Sequence, residues 1–121
     1  MRFKPPKIIR RLMPALIWEI DDEDGVFLTF DDGPTPGVTE WILSTLDKYG
    51  AKATFFVLGK NVEMYPDLYK RILDAGHKVG NHTYSHQKGW GMSLERYTED
   101  VDFANDLIHS ELFRPPYARI T

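Results

Sequence analysis

From residue 26 onward, short apolar runs alternate along the chain with longer stretches of helical spacing. "VFLTF" (26–30) is nearly continuous in apolar character, which predicts a strand covered on both faces. Thr35-Pro36 reads as a helix start, a capping hydroxyl followed by proline at the first helical position. Val38, Trp41, Ile42, Thr45, Leu46 and Tyr49 then recur at helical spacing until Gly50 ends the segment. The unit repeats in kind. "ATFFVLG" (53–59) predicts a second buried strand, and Pro66 opens a helix with Leu68, Tyr69, Ile72 and Leu73 on one face, closed by Gly76. "HKVGN" (77–81) predicts a third strand. Ser93 caps a long helix whose buried stripe is Leu94, Tyr97, Val101, Ala104, Leu107 and Ile108, and "LFRPP" (112–116) begins a fourth strand.

Strand and helix in strict alternation predict an α/β domain of about four β/α units, with parallel strands and right-handed crossovers. The pattern fits an open doubly wound sheet or part of a barrel equally well. Both architectures put function at the carboxyl ends of the strands.

Residues 1–24 behave differently. They are basic and then briefly apolar, and the uncharged part, Leu12 to Trp18, is broken by Pro14 and followed by Glu19 rather than a small-residue cleavage site. This stretch is too short for a transmembrane segment and is no clear signal peptide, so it predicts an extension packing on a domain that spans 25–121. The location of the protein is left unknown by these residues.

Composition narrows the partners. The 121 residues have room for one core, and the net charge of −3 gives no basic footprint, so no nucleic acid is expected as a partner. Cysteine is absent, which removes disulfides and thiolate metal sites.

The strand ends carry the chemistry. Asp31 and Asp32 follow the first strand, ahead of a Gly33-Pro34 turn; "NHTYSHQKG" after the third brings His82 and His86; Arg114 stands at the fourth, before Pro115, Pro116 and Tyr117. His82 and His86 are four residues apart, so a helical turn or tight loop brings both rings to one side. Two imidazoles and one carboxylate make a three-ligand site with an open position, as in catalytic zinc; cobalt, nickel and manganese also suit it. A helical zinc-protease motif would need Glu after the first His, and Thr83 occupies that place. One carboxylate of the pair can bind the cation while the other accepts a proton from water, and the cation offsets their mutual repulsion. His77 and His109 fall at the opposite face of the sheet and read as structural. Trp90, in "KGWGMS", reads equally as a sugar-stacking ring or as a cover for the core.

Together "TFDDGP" (29–34), "HTYSH" (82–86) and "RPPY" (114–117) resemble, in order and spacing, the first three motifs of the polysaccharide deacetylases, the NodB-homology or carbohydrate esterase family 4 group. The resemblance implies a distorted (β/α) barrel, TIM-barrel-like. It also implies a metal-dependent hydrolase that removes acetyl groups from N-acetylglucosamine-type polymers or oligosaccharides such as chitin or peptidoglycan, or from acetylated xylan. By position, Asp31 would be the catalytic base, and Asp32, His82 and His86 would hold the metal. Arg114 would orient the base, and the Tyr117 backbone N–H would help stabilise the oxyanion. An extracytoplasmic role is suggested by the resemblance alone.

Two departures stand out. Ala118 follows Tyr117 where the family pattern has glycine. The family's later motifs, including a histidine general acid, have no counterpart before Thr121, so about four β/α units are expected to stop before a barrel closes. A homodimer would cover the open edge. The rival to a deacetylase is accordingly a catalytically weak or inactive metal- or carbohydrate-binding module that lacks the general acid.

Overall fold

The computed structural model describes residues 26–118. The extension expected over 1–24 lies outside the described residues.

Three parallel strands, β1 (Leu28–Asp31), β2 (Ala53–Val57) and β3 (Lys78–Asn81), form a sheet in the order β1-β2-β3. Register runs from Leu28 opposite Ala53 to Asp31 opposite Phe56, and from Thr54 opposite Lys78 to Val57 opposite Asn81. The β-rich, apolar β2 is the central strand and is almost wholly buried, as a parallel strand with both faces covered is. β1 departs from expectation. Only β2 flanks it among the described residues, and it is largely exposed: Leu28 keeps 40% of its accessible surface, and Val26 and Phe27, just before the strand, keep 87% and 55%.

The fourth strand is reduced to a single parallel bridge, Asn81 to Phe113. There the Asn81 N–H donates to the Leu112 carbonyl (2.8 Å) and the Arg114 N–H donates to the Asn81 carbonyl (3.0 Å). Pro115 and Pro116 follow at once and have no N–H to extend the ladder.

The helices are α1 (Val38–Lys48), α2 (Gly59–Met64), α3 (Pro66–Asp74) and α4 (Leu94–Ile108). α1 starts two residues later than Thr35-Pro36 predicts. Gly37 caps it with φ 83°, which glycine adopts without a Cβ clash, and its N–H donates to the Glu40 carboxylate. The buried face of α1 is Thr39, Leu43 and Leu46 rather than the stripe through Trp41 and Tyr49. That second stripe faces Leu28 and Phe30, and with Ile42 and Thr45 it lines an apolar cavity of about 300 Å³ beside the β1 edge. α2 is unexpected, since "ATFFVLG" reads as one strand to residue 59. A Cβ on Gly59 would lie 2.8 Å from the Tyr84 ring and 3.0 Å from the Ala104 backbone, so the missing side chain is what lets α2 approach α4.

Phe55, Val57, Ile72, Ala104 and Ile108 form the centre of the core between sheet and helices. His77 is buried at the amino end of the sheet, where its Nδ1 accepts the Ala53 N–H at 3.2 Å. Burial, with the Lys52 charge adding to it, pushes that imidazole below its ordinary pKa. His109 ends α4 in the left-handed conformation. His77 thus belongs to the hydrogen bonding of the core and His109 to a helix terminus.

Candidate metal centre

Asp31 is the last residue of β1, and Asp32 turns out of the strand with φ 74°. That turn separates the two carboxylates, which then find different partners. Asp31 Oδ1 accepts from Arg114 Nη1 at 2.8 Å. Asp32 Oδ1 lies 3.2 Å from His82 Nε2 and 3.1 Å from His86 Nε2. The backbone of Asp32 is held on both sides: its N–H donates to the Phe56 carbonyl at 3.1 Å, and its carbonyl accepts from Asn61 Nδ2 at 2.8 Å.

His82 is buried just past β3, and its Nδ1 stands 2.6 Å from the Arg114 carbonyl oxygen. A carbonyl only accepts, so Nδ1 carries a proton and Nε2 is the atom that faces Asp32. Two acceptors face to face at 3.2 Å repel each other unless a proton or a cation lies between them. With metal–ligand bonds of about 2.0–2.2 Å, tetrahedral neighbours stand about 3.3–3.6 Å apart, a little beyond both observed N···O separations. The three ligand atoms of Asp32, His82 and His86 all lie within 4.8 Å of one another. The donor set and its spacing fit a divalent ion.

Arg114 serves both halves of the site. Its carbonyl fixes the His82 tautomer, while Nη1 donates to Asp31 and, at 3.0 Å, to Thr29 Oγ1. The guanidinium lies over the Phe56 ring, 4.1 Å from its centroid. Phe56 in turn occupies the space a Cβ at Gly80 would need, 2.5 Å from the ring's Cε1, so the glycine of β3 indirectly sets the height of the arginine.

The loop that carries both histidines is tied down from α4. Asp100 Oδ2 accepts the N–H of Tyr84 (2.9 Å) and of Ser85 (3.2 Å), and Oδ1 accepts the Ser85 hydroxyl (2.7 Å). Asn81 adds a second tie, accepting the Thr83 N–H at 2.8 Å and donating to the Val101 carbonyl at 2.9 Å. Thr83, fully buried, has φ 71°, a conformation that costs a β-branched residue energy. Its hydroxyl accepts the His86 N–H at 3.0 Å and its carbonyl accepts the Gly59 N–H at 3.0 Å, so the surroundings over-determine the strained turn. Asp100, Asn61 and Thr29 are not among the sequence-predicted site residues. Nothing local marks Asp100, since an acid on a polar helix face is ordinary. Asp100→Ala is expected to weaken zinc binding by about 10–100-fold, the usual effect of removing an outer support, while Asp100→Asn, which can still accept both backbone N–H groups, retains most of it. Competitive titration against a chromogenic zinc indicator measures both.

Tyr117 sits in a 3₁₀ turn (Pro116–Ala118) with φ 58°, its ring edge-on to His86 at 5.0 Å between centroids. Ala118, where the family pattern has glycine, has φ 52°. The departure thus falls where the left-handed backbone favours glycine. Trp90 is 76% exposed and does not cover the core.

Residues 19–121 match the polysaccharide deacetylase family. The chain belongs to that family. It is 42% identical over 101 residues to the peptidoglycan-N-acetylmuramic acid deacetylase PdaC of Bacillus subtilis, covering 78% of this chain and 22% of that protein. With the chitooligosaccharide deacetylase of Rhizobium leguminosarum it shares 40% identity over 89 residues, 74% of this chain and 41% of the relative. The solved PdaC structure superposes with a TM-score of 0.76 over 78% of this chain and 50% of that one. A family 4 carbohydrate esterase from Streptomyces lividans, in complex with acetate, gives 0.75 at 33% identity over 79% and 53%. The chain therefore spans about half of these two solved structures and less than half of the two relatives named before them, and the α/β fold with a parallel sheet is theirs.

Proposed function

We propose that the chain carries the metal-holding and base residues of a hydrolase that removes acetyl groups from N-acetylglucosamine-type sugars, peptidoglycan or chitooligosaccharides. The observation that carries this reading is the convergence of Asp32 Oδ1 with His82 Nε2 and His86 Nε2 beside an Asp31 carboxylate held separately by Arg114. The names of PdaC and of the Rhizobium relative, and the acetate in the Streptomyces esterase, support the substrate class.

Asp32, His82 and His86 would hold the ion, zinc best suiting two imidazoles and a carboxylate. A divalent ion at such a site supplies Lewis acidity and makes water a competent nucleophile near neutral pH. The chain's own residues supply the base, its positioning and a donor to the oxyanion. Asp31, with one oxygen engaged by Arg114, keeps its remaining lone pairs to take the proton from the attacking water. Arg114 positions Asp31 through its side chain and His82 through its carbonyl, so base and ligand keep a fixed relation. The Tyr117 N–H, in its left-handed turn beside His86, would donate to the oxyanion as the acetyl carbon becomes tetrahedral, a contribution typically of about 2.7–4 kcal/mol. His77 and His109 are fixed elsewhere in the fold and take no part.

A peptidoglycan substrate would put the reaction outside the cytoplasmic membrane. Among the described residues no helix is long and apolar enough to cross one.

The test is acetate release from N-acetylated chitooligosaccharides and from peptidoglycan fragments, with zinc added and after chelation. Release that zinc restores after chelation is the expected result. No release from either substrate under any cation would overturn the proposal.

A further inference from the structure

Lys88 lies two residues beyond His86 in the same loop, with Nζ over the Tyr117 ring, 5.1 Å from its centroid. The Tyr117 ring meets His86 edge-on at 5.0 Å, so the ammonium stands one aromatic ring away from the triad. Tyr117 is 54% exposed, and it is the ring a sugar would meet beside His86. One region of that ring is already covered by a cation, so a saccharide arriving there meets an ammonium as well as an aromatic surface. Arg114, the other cation at the site, has its charge engaged by Asp31. Among the described residues Lys88 has no carboxylate partner. A cation–π contact uses the charge of an ammonium but leaves N–H groups free to donate outward.

We infer that Lys88 is a specificity residue that selects amino-sugar chains bearing a carboxylate near the acetamido group, such as a lactyl ether on the sugar ring, over neutral chains of the same length. The inference rests on the deacetylase reading and deepens it. A carboxylate reaching Nζ gains a charge-assisted hydrogen bond that a neutral substituent cannot make. Lys88 stays at the mouth of the site, in partial contact with solvent, so its effect falls on binding rather than on the bond-breaking step.

The test titrates the purified chain with an N-acetylglucosaminyl-N-acetylmuramic acid saccharide, with its methyl ester, and with a chitooligosaccharide of equal length. Wild type is expected to prefer the free acid by about five- to tenfold. Lys88→Ala should abolish that preference, Lys88→Glu should reverse it, and Lys88→Arg should keep it, each read as the ratio of acid to ester binding by the same variant. Equal binding of acid and ester by wild type, no binding of the acid, or a preference that survives Lys88→Glu would overturn the inference. Acetate release from the neutral chain, measured in parallel, reports on the deacetylase reading separately.

Discussion

Asp31→Asn is expected to lower acetate release by about 10²–10⁴-fold, the usual effect of removing a positioned general base, while the protein still binds one zinc ion per chain. The split follows from where the two aspartates point. Asp31 contacts Arg114 and takes no part in the cluster of Asp32, His82 and His86. Asparagine keeps the shape and can still accept from Arg114 Nη1 through its amide oxygen, so the guanidinium stays between Asp31, Thr29 and the Phe56 ring. What it loses is basicity. Fold stability should change little, because the Arg114–Asp31 pair is 38% exposed on each side and such pairs contribute about 0–1 kcal/mol. Rates with saturating zinc, read beside a zinc titration of the same sample, check the expectation. A variant that lost zinc along with activity would place Asp31 among the ligands and reverse the roles assigned to the two carboxylates.

The make-up of the candidate site was legible because five polar residues able to bind a cation or move a proton sit at three strand ends, where parallel α/β topology gathers them. Asp31, Asp32, His82, His86 and Arg114 are met there, with Asp32 and the two histidines forming one cluster. Their supports were not legible. Asp100 reaches the histidine loop from the first half of α4, and Asn61 reaches Asp32 from a helix the periodicity did not predict. No local pattern distinguishes such residues from a solvated helix face, since their role exists only once the chain has folded back.

The fold shows the same division. Helical spacing located α1, α3 and α4, yet on α1 two overlapping apolar stripes competed. The sheet took Thr39, Leu43 and Leu46 and left Trp41 and Tyr49 exposed. An apolar run located β1 but carries no information on how many strands flank it, so burial on both faces was expected of what is an edge. The fourth strand failed for a reason already present in the residues, the paired prolines that cannot donate to a ladder.

His82 and His86 offer the same atom to the same partner, but their removal should have different consequences. Either substitution to alanine is expected to weaken zinc binding by more than about 100-fold, beyond the range for outer supports, because a three-ligand site loses a ligand. Stability without metal separates them. The His82 side chain is only 4% exposed, and its Nδ1–H is the partner of the Arg114 carbonyl. His82→Ala leaves that carbonyl without its donor and opens a space beside it, which should cost about 1–3 kcal/mol. The His86 side chain is 26% exposed, so His86→Ala should cost under about 1 kcal/mol. Urea unfolding of both variants in chelator measures the difference. Equal losses of stability would mean that the His82–Arg114 bond does not hold the loop, and the coupling of base to ligand through Arg114 would fall with it. Undiminished zinc binding in either variant would remove that histidine from the ligand set.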